Sequence, residues 1–341
     1  MSIATIGIDL GKTSMHVVGL DASGKPVHRK KLTRTALIRF LSNLAPCRVA
    51  MESCAGSHDI ARKADAMGHD AVLLPAQFVR PYTKGQKNDN SDAEAIAEAA
   101  TRPTMPTVSI KDATQQEIQF LHRTRQGWIK QRTETANRVR AMLLEFGITV
   151  PKRILNLRRA LPGILEDAEN DLPDGVRQLV ADHWQQLQDL DDRIADITQR
   201  IERIPVRDAR AARLMSIPGI GPMIATAMVA AVGDGTQFTQ GRGLSAWLGL
   251  VPQQFTTGGK PRLLGISKRG NRYLRTLLIH GARAVLQQAH RGDDALRRWI
   301  QQVNGRVHRN KAAVALANKL ARVAWAVLTR GETFRASAAA A

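Results

Sequence analysis

The sequence predicts an α/β amino-terminal domain on a mixed sheet, then a helical linker and a mostly helical carboxy-terminal domain. Three observations carry this. Short apolar stretches separated by turn residues open the chain and then alternate with helical segments, the pattern of a mixed α/β sheet. After Pro106 the apolar period changes from two to between three and four. The formal net charge of +20 on 341 residues is also unevenly spread: basic exceed acidic residues by 4 over 1–110, balance them over 111–205 and exceed them by 16 over 206–341. The expected organisation is an α/β domain at 1–110, a helical, coiled-coil linker at 111–205, a basic domain at 206–335 and a disordered alanine-rich tail at 336–341.

In chain order, residues 5–10 and 14–20 read as strands joined around Gly11-Lys12, and 27–32 as a third after the turn at 21–26. Residues 37–44 form a short helix, 48–53 a strand, 60–67 a helix and 71–74 a strand ended by Pro75. Residues 89–100 form a helix stopped by Arg102-Pro103, and 115–146 a long one closed by Gly147 and Pro151. Within 176–204, Leu187, Leu190, Ile194, Ile197, Ile201 and Ile204 recur at spacings of 3 and 4, a heptad seam that pairs either between chains or within one.

Composition excludes several classes. An apolar content of 43% is too high for a disordered chain, and 4% aromatics is too low for base-stacking platforms. No run approaches the ~18 apolar residues of a membrane span. The N-terminus lacks a signal-peptide layout, and Cys47 and Cys54 are too few for a disulfide framework or a cysteine cage. A reducing, cytoplasmic setting is expected. An excess of 16 positive charges in one domain attracts a polyanion, nucleic acid above all, the alternative being a merely soluble cationic surface.

Four carboxylates stand out against this basic background. Asp9 ends the first strand on the face shared with Gly7, opposite Ile6 and Ile8. Glu52 interrupts an otherwise apolar strand, where an unpaired charge is costly and a cation is its natural partner. Asp89 and Asp92 begin a helix, and at 100° per residue both fall on the side of Ala93, Ile96 and Ala100, while Glu94 and Glu98 face water. Capping and dipole roles would not require them to point inward. Four inward carboxylates can neutralise two divalent ions of the kind that clamp a phosphodiester, and oxygen ligands favour Mg²⁺, or Mn²⁺, over Zn²⁺. The nine histidines show no pair at ligand spacing, and most read as ordinary surface or interface residues.

In the basic domain, Ser216-Ile217-Pro218-Gly219-Ile220-Gly221-Pro222 resembles a helix-hairpin-helix element, with Gly219 and Gly221 allowing backbone N–H groups to approach a phosphate; a hairpin used only for packing is the alternative. The segment Gly249-Leu250-Val251-Pro252 leads to Thr256-Thr257-Gly258-Gly259-Lys260 and Arg262, then to Lys268-Arg269-Gly270-Asn271-Arg272 and Arg275. On a helix, Lys268, Arg272 and Arg275 would form one basic stripe opposite Leu274, Leu277 and Leu278, fit for holding a phosphate backbone.

An initial strand carrying Asp, a later strand carrying Glu and a D-x-x-D helix together resemble the RuvC-like branch of the ribonuclease H fold. Taken alone, residues 7–13 (GIDLGKT) also resemble the first phosphate loop of the sugar-kinase, actin and Hsp70 ATPases. Those ATPases need a second Asp-bearing phosphate hairpin and a Gly-rich adenosine loop, and neither follows residue 110. With the seam, PGIGP and GLVP…TTGGKPRLLGISKRGNRYLR in that order, residues 3–335 resemble the DEDD-type insertion-sequence transposases. These are bridge-RNA-guided recombinases, a group that includes the Piv-type invertases.

The resemblance implies that Asp9, Glu52, Asp89 and Asp92 bind Mg²⁺ and that a structured guide RNA pairs with double-stranded donor and target DNA. It also implies a homo-oligomer, dimer or tetramer, working at the bacterial nucleoid. A serine in the family's carboxy-terminal domain attacks DNA to form a covalent intermediate; its position here matches Thr257, with Thr256 and Ser267 as alternatives. A hydrolytic RuvC-like nuclease acting on branched DNA and a non-catalytic nucleic-acid-binding protein are the competing functions.

Overall fold

Strict alternation of Ile6 and Ile8 with Gly7 and Asp9 makes β1 (Thr5–Leu10) two-faced, and it takes the central place in a five-stranded sheet. The computed structural model describes residues 2–83, 88–292 and 294–335, so the tail expected at 336–341 lies outside the described residues. The chain divides into two units, Met1–Thr114 and Gln115–Ala341. The helices expected as a separate linker belong to the second.

In the first unit the sheet order is β3-β2-β1-β4-β5. β2 (Met15–Leu20) and β3 (Pro26–Leu32) continue β1 as an antiparallel meander, while β4 (Arg48–Glu52) and β5 (Asp70–Leu74) run parallel to it. The parallel strands require crossovers, supplied by α1 (Arg34–Ser42) before β4 and α2 (Ser57–Ala66) between β4 and β5. Ile6, Ile8, Val49 and Met51 pack with Leu37, Leu41, Ile60 and Ala64 on one face. After α3 (Ala76–Val79), α4 (Asp89–Ala100) covers the other face, packing Ala93 and Ala97 on Val18, and Ile96 on Ala50. α4 lies directly on Gly7: a Cβ there would overlap the Ala93 carbonyl oxygen and the Ala97 nitrogen. Glu94 and Glu98, expected to face water, are only partly exposed, Glu94 being paired to Arg29 at 2.6 Å and Glu98 to Arg102.

In the second unit, α5 (Ala113–Glu145), α6 (Ile154–Glu166) and α7 (Asp174–Arg203) share a core of Ala136, Val139, Leu143, Leu157, Leu161, Val180 and Leu187. Arg125 donates to Thr198, Arg132 to Asp191 and Thr135 to Gln186, a falling register that makes α5 and α7 an antiparallel pair. The heptad seam is therefore buried within one chain. α6 was not anticipated: Pro162 lies inside it, where the missing N–H ordinarily breaks a helix, and buried Leu157 and Leu161 hold it in place.

The remaining helices are α8 (Ala209–Leu214), α9 (Pro222–Val232), α10 (Gly241–Trp247), α11 (Arg272–Gln287), α12 (Ala295–Arg306) and α13 (Arg309–Arg330), with a hairpin of β6 (Pro252–Thr257) and β7 (Lys260–Ile266). α13 is long and apolar enough to cross a membrane by length and composition; here it is a core helix, burying Leu316, Leu320, Ala324 and Leu328. One histidine ties α5 to this core. His122 Nε2 lies 2.9 Å from Thr226 Oγ1, whose own hydroxyl donates to Pro222 O, and Nδ1 lies 2.9 Å from Tyr273 Oη. Nε2 therefore donates, Nδ1 accepts, and the ring is neutral; burial pushes its pKa down to about 4.

Candidate active site

The strand register and the α4 contact bring the acids together. Gly7 pairs with Ala50 and Ile8 with Met51, so Glu52 ends β4 on the Asp9 face of the sheet. α4, seated on Gly7, presents its first turn to the same spot. Asp9, Glu52, Asp89 and Asp92 line one cleft of about 900 Å³, together with Ala76, Gln77, Arg80 and Thr83. Capping does not explain the two aspartates, because Asn88 Oδ1 already accepts from Ser91 N at the helix start.

The cluster is electrostatically frustrated. Burial and then the charges of Asp92 and Asp89 push the Asp9 carboxyl above its ordinary range. Burial and then Asp9 and Asp92 do the same to Glu52. A divalent cation relieves this repulsion, and an all-oxygen set of four carboxylates fits a hard ion.

One residue of the cleft wall and one beside the cleft were not foreseen. Arg80 stands at its wall as an exposed cation with no ion pair among the described residues. His16 on β2 pairs directly with Asp9 on β1, putting both on the face under α4. Its side chain is 10% exposed, and Nδ1 lies 3.4 Å from Asp89 Oδ2. His16 is thus an exception among histidines read mostly as ordinary surface or interface groups. A hairpin register counted outward from the 11–14 loop would have paired residues 9 and 16.

In the second unit, Gly258 and Gly259 have φ of +55° and +73°, the backbone of a two-residue I′ turn, so Thr257 and Lys260 face each other at the hairpin tip. Phe255 pairs with Arg262, so Phe255, Thr257, Lys260 and Arg262 share one exposed face. Gln254 donates to Thr256 Oγ1 at 2.8 Å on the other face, whereas the Thr257 hydroxyl has no hydrogen bond among the described residues. Ser267 lies at the hairpin root, its N–H bonded to Val251 O.

The basic stripe is assembled differently from expectation. α11 begins at Arg272, so Lys268 precedes it, with a φ of +55°. Arg275 is buried, and its Nη1 donates at 2.9 Å to the carbonyls of both Leu248 and Arg269. Its charge is spent on clamping the hairpin root. Lys268, Arg269 and Arg272 are exposed, like Lys260 and Arg262. In the turn between α8 and α9, Gly219 is pressed against α11, where a Cβ would meet the Gly281 carbonyl, while Gly221 caps α9 with open space on its Cβ side.

Residues 6–148 match the profile of a DEDD transposase family, and residues 211–299 match that of the transposase IS116/IS110/IS902 family. The chain is 44% identical over 336 residues to a Pseudomonas aeruginosa protein named "Probable family 20 transposase", covering 98% of this chain and 99% of that one. It is 41% identical to the "Transposase for insertion sequence element IS1328" of Yersinia enterocolitica, with 98% and 99% covered. It is 38% identical to the "Transposase for insertion sequence element IS1111A" of Coxiella burnetii, with 98% and 92% covered.

Proposed function

The chain belongs to the IS116/IS110/IS902 family of transposases, enzymes that cleave and rejoin DNA, and on that premise we propose that it mobilises its own insertion sequence by RNA-guided strand transfer. The observation that carries this reading is the meeting of Asp9, Glu52, Asp89 and Asp92 in one cleft from three separate elements. An antiparallel three-strand start continued by two parallel strands in the order β3-β2-β1-β4-β5 supports an RNase H-like, RuvC-like fold for the first unit. The four carboxylates would hold Mg²⁺, or Mn²⁺, which would supply stabilisation of the charge that develops on a phosphodiester during strand transfer. Arg80, at the cleft wall, neutralises a non-bridging oxygen of the bound strand.

The second unit supplies the polyanion surface and the nucleophile. Lys260 and Arg262 share a hairpin face with Thr257, so a phosphate they hold lies beside a free hydroxyl. The Thr257 oxygen forms a bond to phosphorus as the bond to the leaving strand breaks; the hydroxyl proton passes to a base and the leaving oxygen is protonated. The β-methyl of threonine crowds this attack relative to serine. Lys268, Arg269, Arg272 and the Gly219–Gly221 turn add contacts to donor and target duplexes and to the guide RNA. The protein works as a homo-oligomer at the nucleoid.

The test mixes the protein and Mg²⁺ with RNA copied from the element's flank and with donor and target duplexes. The expected product is a protein–DNA adduct that survives denaturation, is lost in EDTA, and is lost in Thr257→Ala while RNA binding persists. Full strand transfer by Thr257→Ala removes Thr257 from the mechanism. Metal-dependent cleavage without an adduct favours a hydrolytic nuclease.

A further inference from the structure

We propose that His16 is a nitrogen ligand of the metal held by Asp9 and Asp89, and that it biases the site towards Mn²⁺ over Mg²⁺. The inference rests on the carboxylate cleft being a metal site, and it goes further by naming a donor of a different chemical kind.

β2 reads Met-His-Val-Val-Gly-Leu and is buried along its whole length, so a histidine in its second position needs a reason to be there. The sheet register supplies one. His16 is the direct cross-strand neighbour of Asp9, on the face covered by α4, and α4 begins with Asp89. One ligand atom each from Asp9, His16 and Asp89 lies within 4.8 Å of the others. Ligands about 2.2 Å from a common ion are at most about 4.4 Å apart, so a small inward movement of these side chains closes the set on one cation. Among the described residues the polar contact of the imidazole is the 3.4 Å approach of Nδ1 to Asp89, so the ring's partner belongs to the acidic cluster.

A nitrogen donor changes which ion is preferred. Mg²⁺ holds to oxygen ligands and gains little from imidazole, whereas Mn²⁺, although the weakest of the first-row series, accepts a nitrogen donor more readily than Mg²⁺. A purely carboxylate site would treat the two ions more evenly. With His16 in the set, removing it weakens Mn²⁺ binding and leaves Mg²⁺ binding nearly unchanged. A His16 that only oriented Asp89 by a hydrogen bond would affect both ions alike.

The full-length protein, without nucleic acid, is titrated with Mn²⁺ alone and examined by pulsed electron paramagnetic resonance. The wild type is expected to show ¹⁴N modulation from a directly bound imidazole. The modulation disappears in His16→Asn and His16→Asp, both of which still bind Mn²⁺, with His16→Asn about tenfold weaker for Mn²⁺ and changed less than about threefold for Mg²⁺. The wild-type spectrum stands without any variant, and melting curves in EDTA establish that the variants are folded. Mn²⁺ binding that is lost in Asp9→Asn but shows no nitrogen modulation in the wild type overturns the role of His16 and leaves the acidic site intact. Modulation that persists in His16→Asn overturns it too. Mn²⁺ binding indifferent to Asp9→Asn overturns both the role of His16 and the metal site.

Discussion

The two units hold their charges in opposite ways. The first gathers acids into one cleft: Asp9 and Glu52 are partly buried beside Asp89 and Asp92, and burial first, then the neighbouring carboxylates, push both above their ordinary range. The second turns bases outward, with Lys260, Arg262, Lys268, Arg269 and Arg272 exposed along the hairpin and the start of α11. Its inward arginine, Arg275, is satisfied by two backbone carbonyls. Crowded like charges in a cleft are destabilised until a compact counter-ion arrives, whereas dispersed charges on a surface are solvated and wait for an extended one. One chain thus carries a cleft of crowded carboxylates and an exposed basic surface.

The largest effect that would sharpen this contrast is catalytic. Asp9→Asn is expected to lower strand transfer by about 10³-fold or more, the scale of losing a preorganised electrostatic stabiliser, while DNA binding at fixed salt stays within about threefold. A parallel loss of DNA affinity would break the division between the units.

The units also respond to acid with opposite sign. Asp9 and Glu52 have folded pKa values above their unfolded ones, so the first unit is stabilised at this site as pH falls through the carboxylate range. His122 has its folded pKa depressed from 6.5 to about 4, so below pH 6.5 the unfolded chain takes the proton first and stability is lost as pH falls. Between pH 7 and 5 this removes roughly 2 kcal/mol from the second unit. All five tryptophans lie in that unit, so a denaturant midpoint followed by tryptophan fluorescence reads it alone. The drop is expected in the wild type and flattened in His122→Leu. An equal drop in both removes His122 as its source.

The smallest effect separates two arginines three residues apart. Arg272→Ala is expected to reduce the salt dependence of DNA binding by about one phosphate contact, a change of about 0.9 in the logarithmic slope. Arg275→Ala leaves that slope unchanged and lowers the melting temperature, because it strands the carbonyls of Leu248 and Arg269.

These contrasts also show which parts of the molecule local periodicity made legible. Asp9 on the face of Gly7, and Asp92 in the first turn of α4, follow from periods of 2 and 3.6, whereas Asp89 lines the cleft with its side chain 64% exposed rather than turned inward. His16 escaped because its meaning lies in cross-strand register rather than in spacing along the chain. Arg275 was placed on a phosphate-binding stripe because a helical wheel says nothing of what approaches its outer side, here the backbone at Leu248 and Arg269. The heptad seam was correctly periodic yet silent about its partner, which proved to be α5 of the same chain. α6 was hidden by Pro162, a local signal outweighed by the burial of Leu157 and Leu161.

The central claim is that the inward acids exist to hold divalent metal, and calorimetric titration of the nucleic-acid-free protein with Mg²⁺ and with Mn²⁺ tests it most directly. Saturable binding is predicted in the wild type, abolished in Asp9→Asn and Glu52→Gln. Binding that survives both substitutions unchanged would contradict the account.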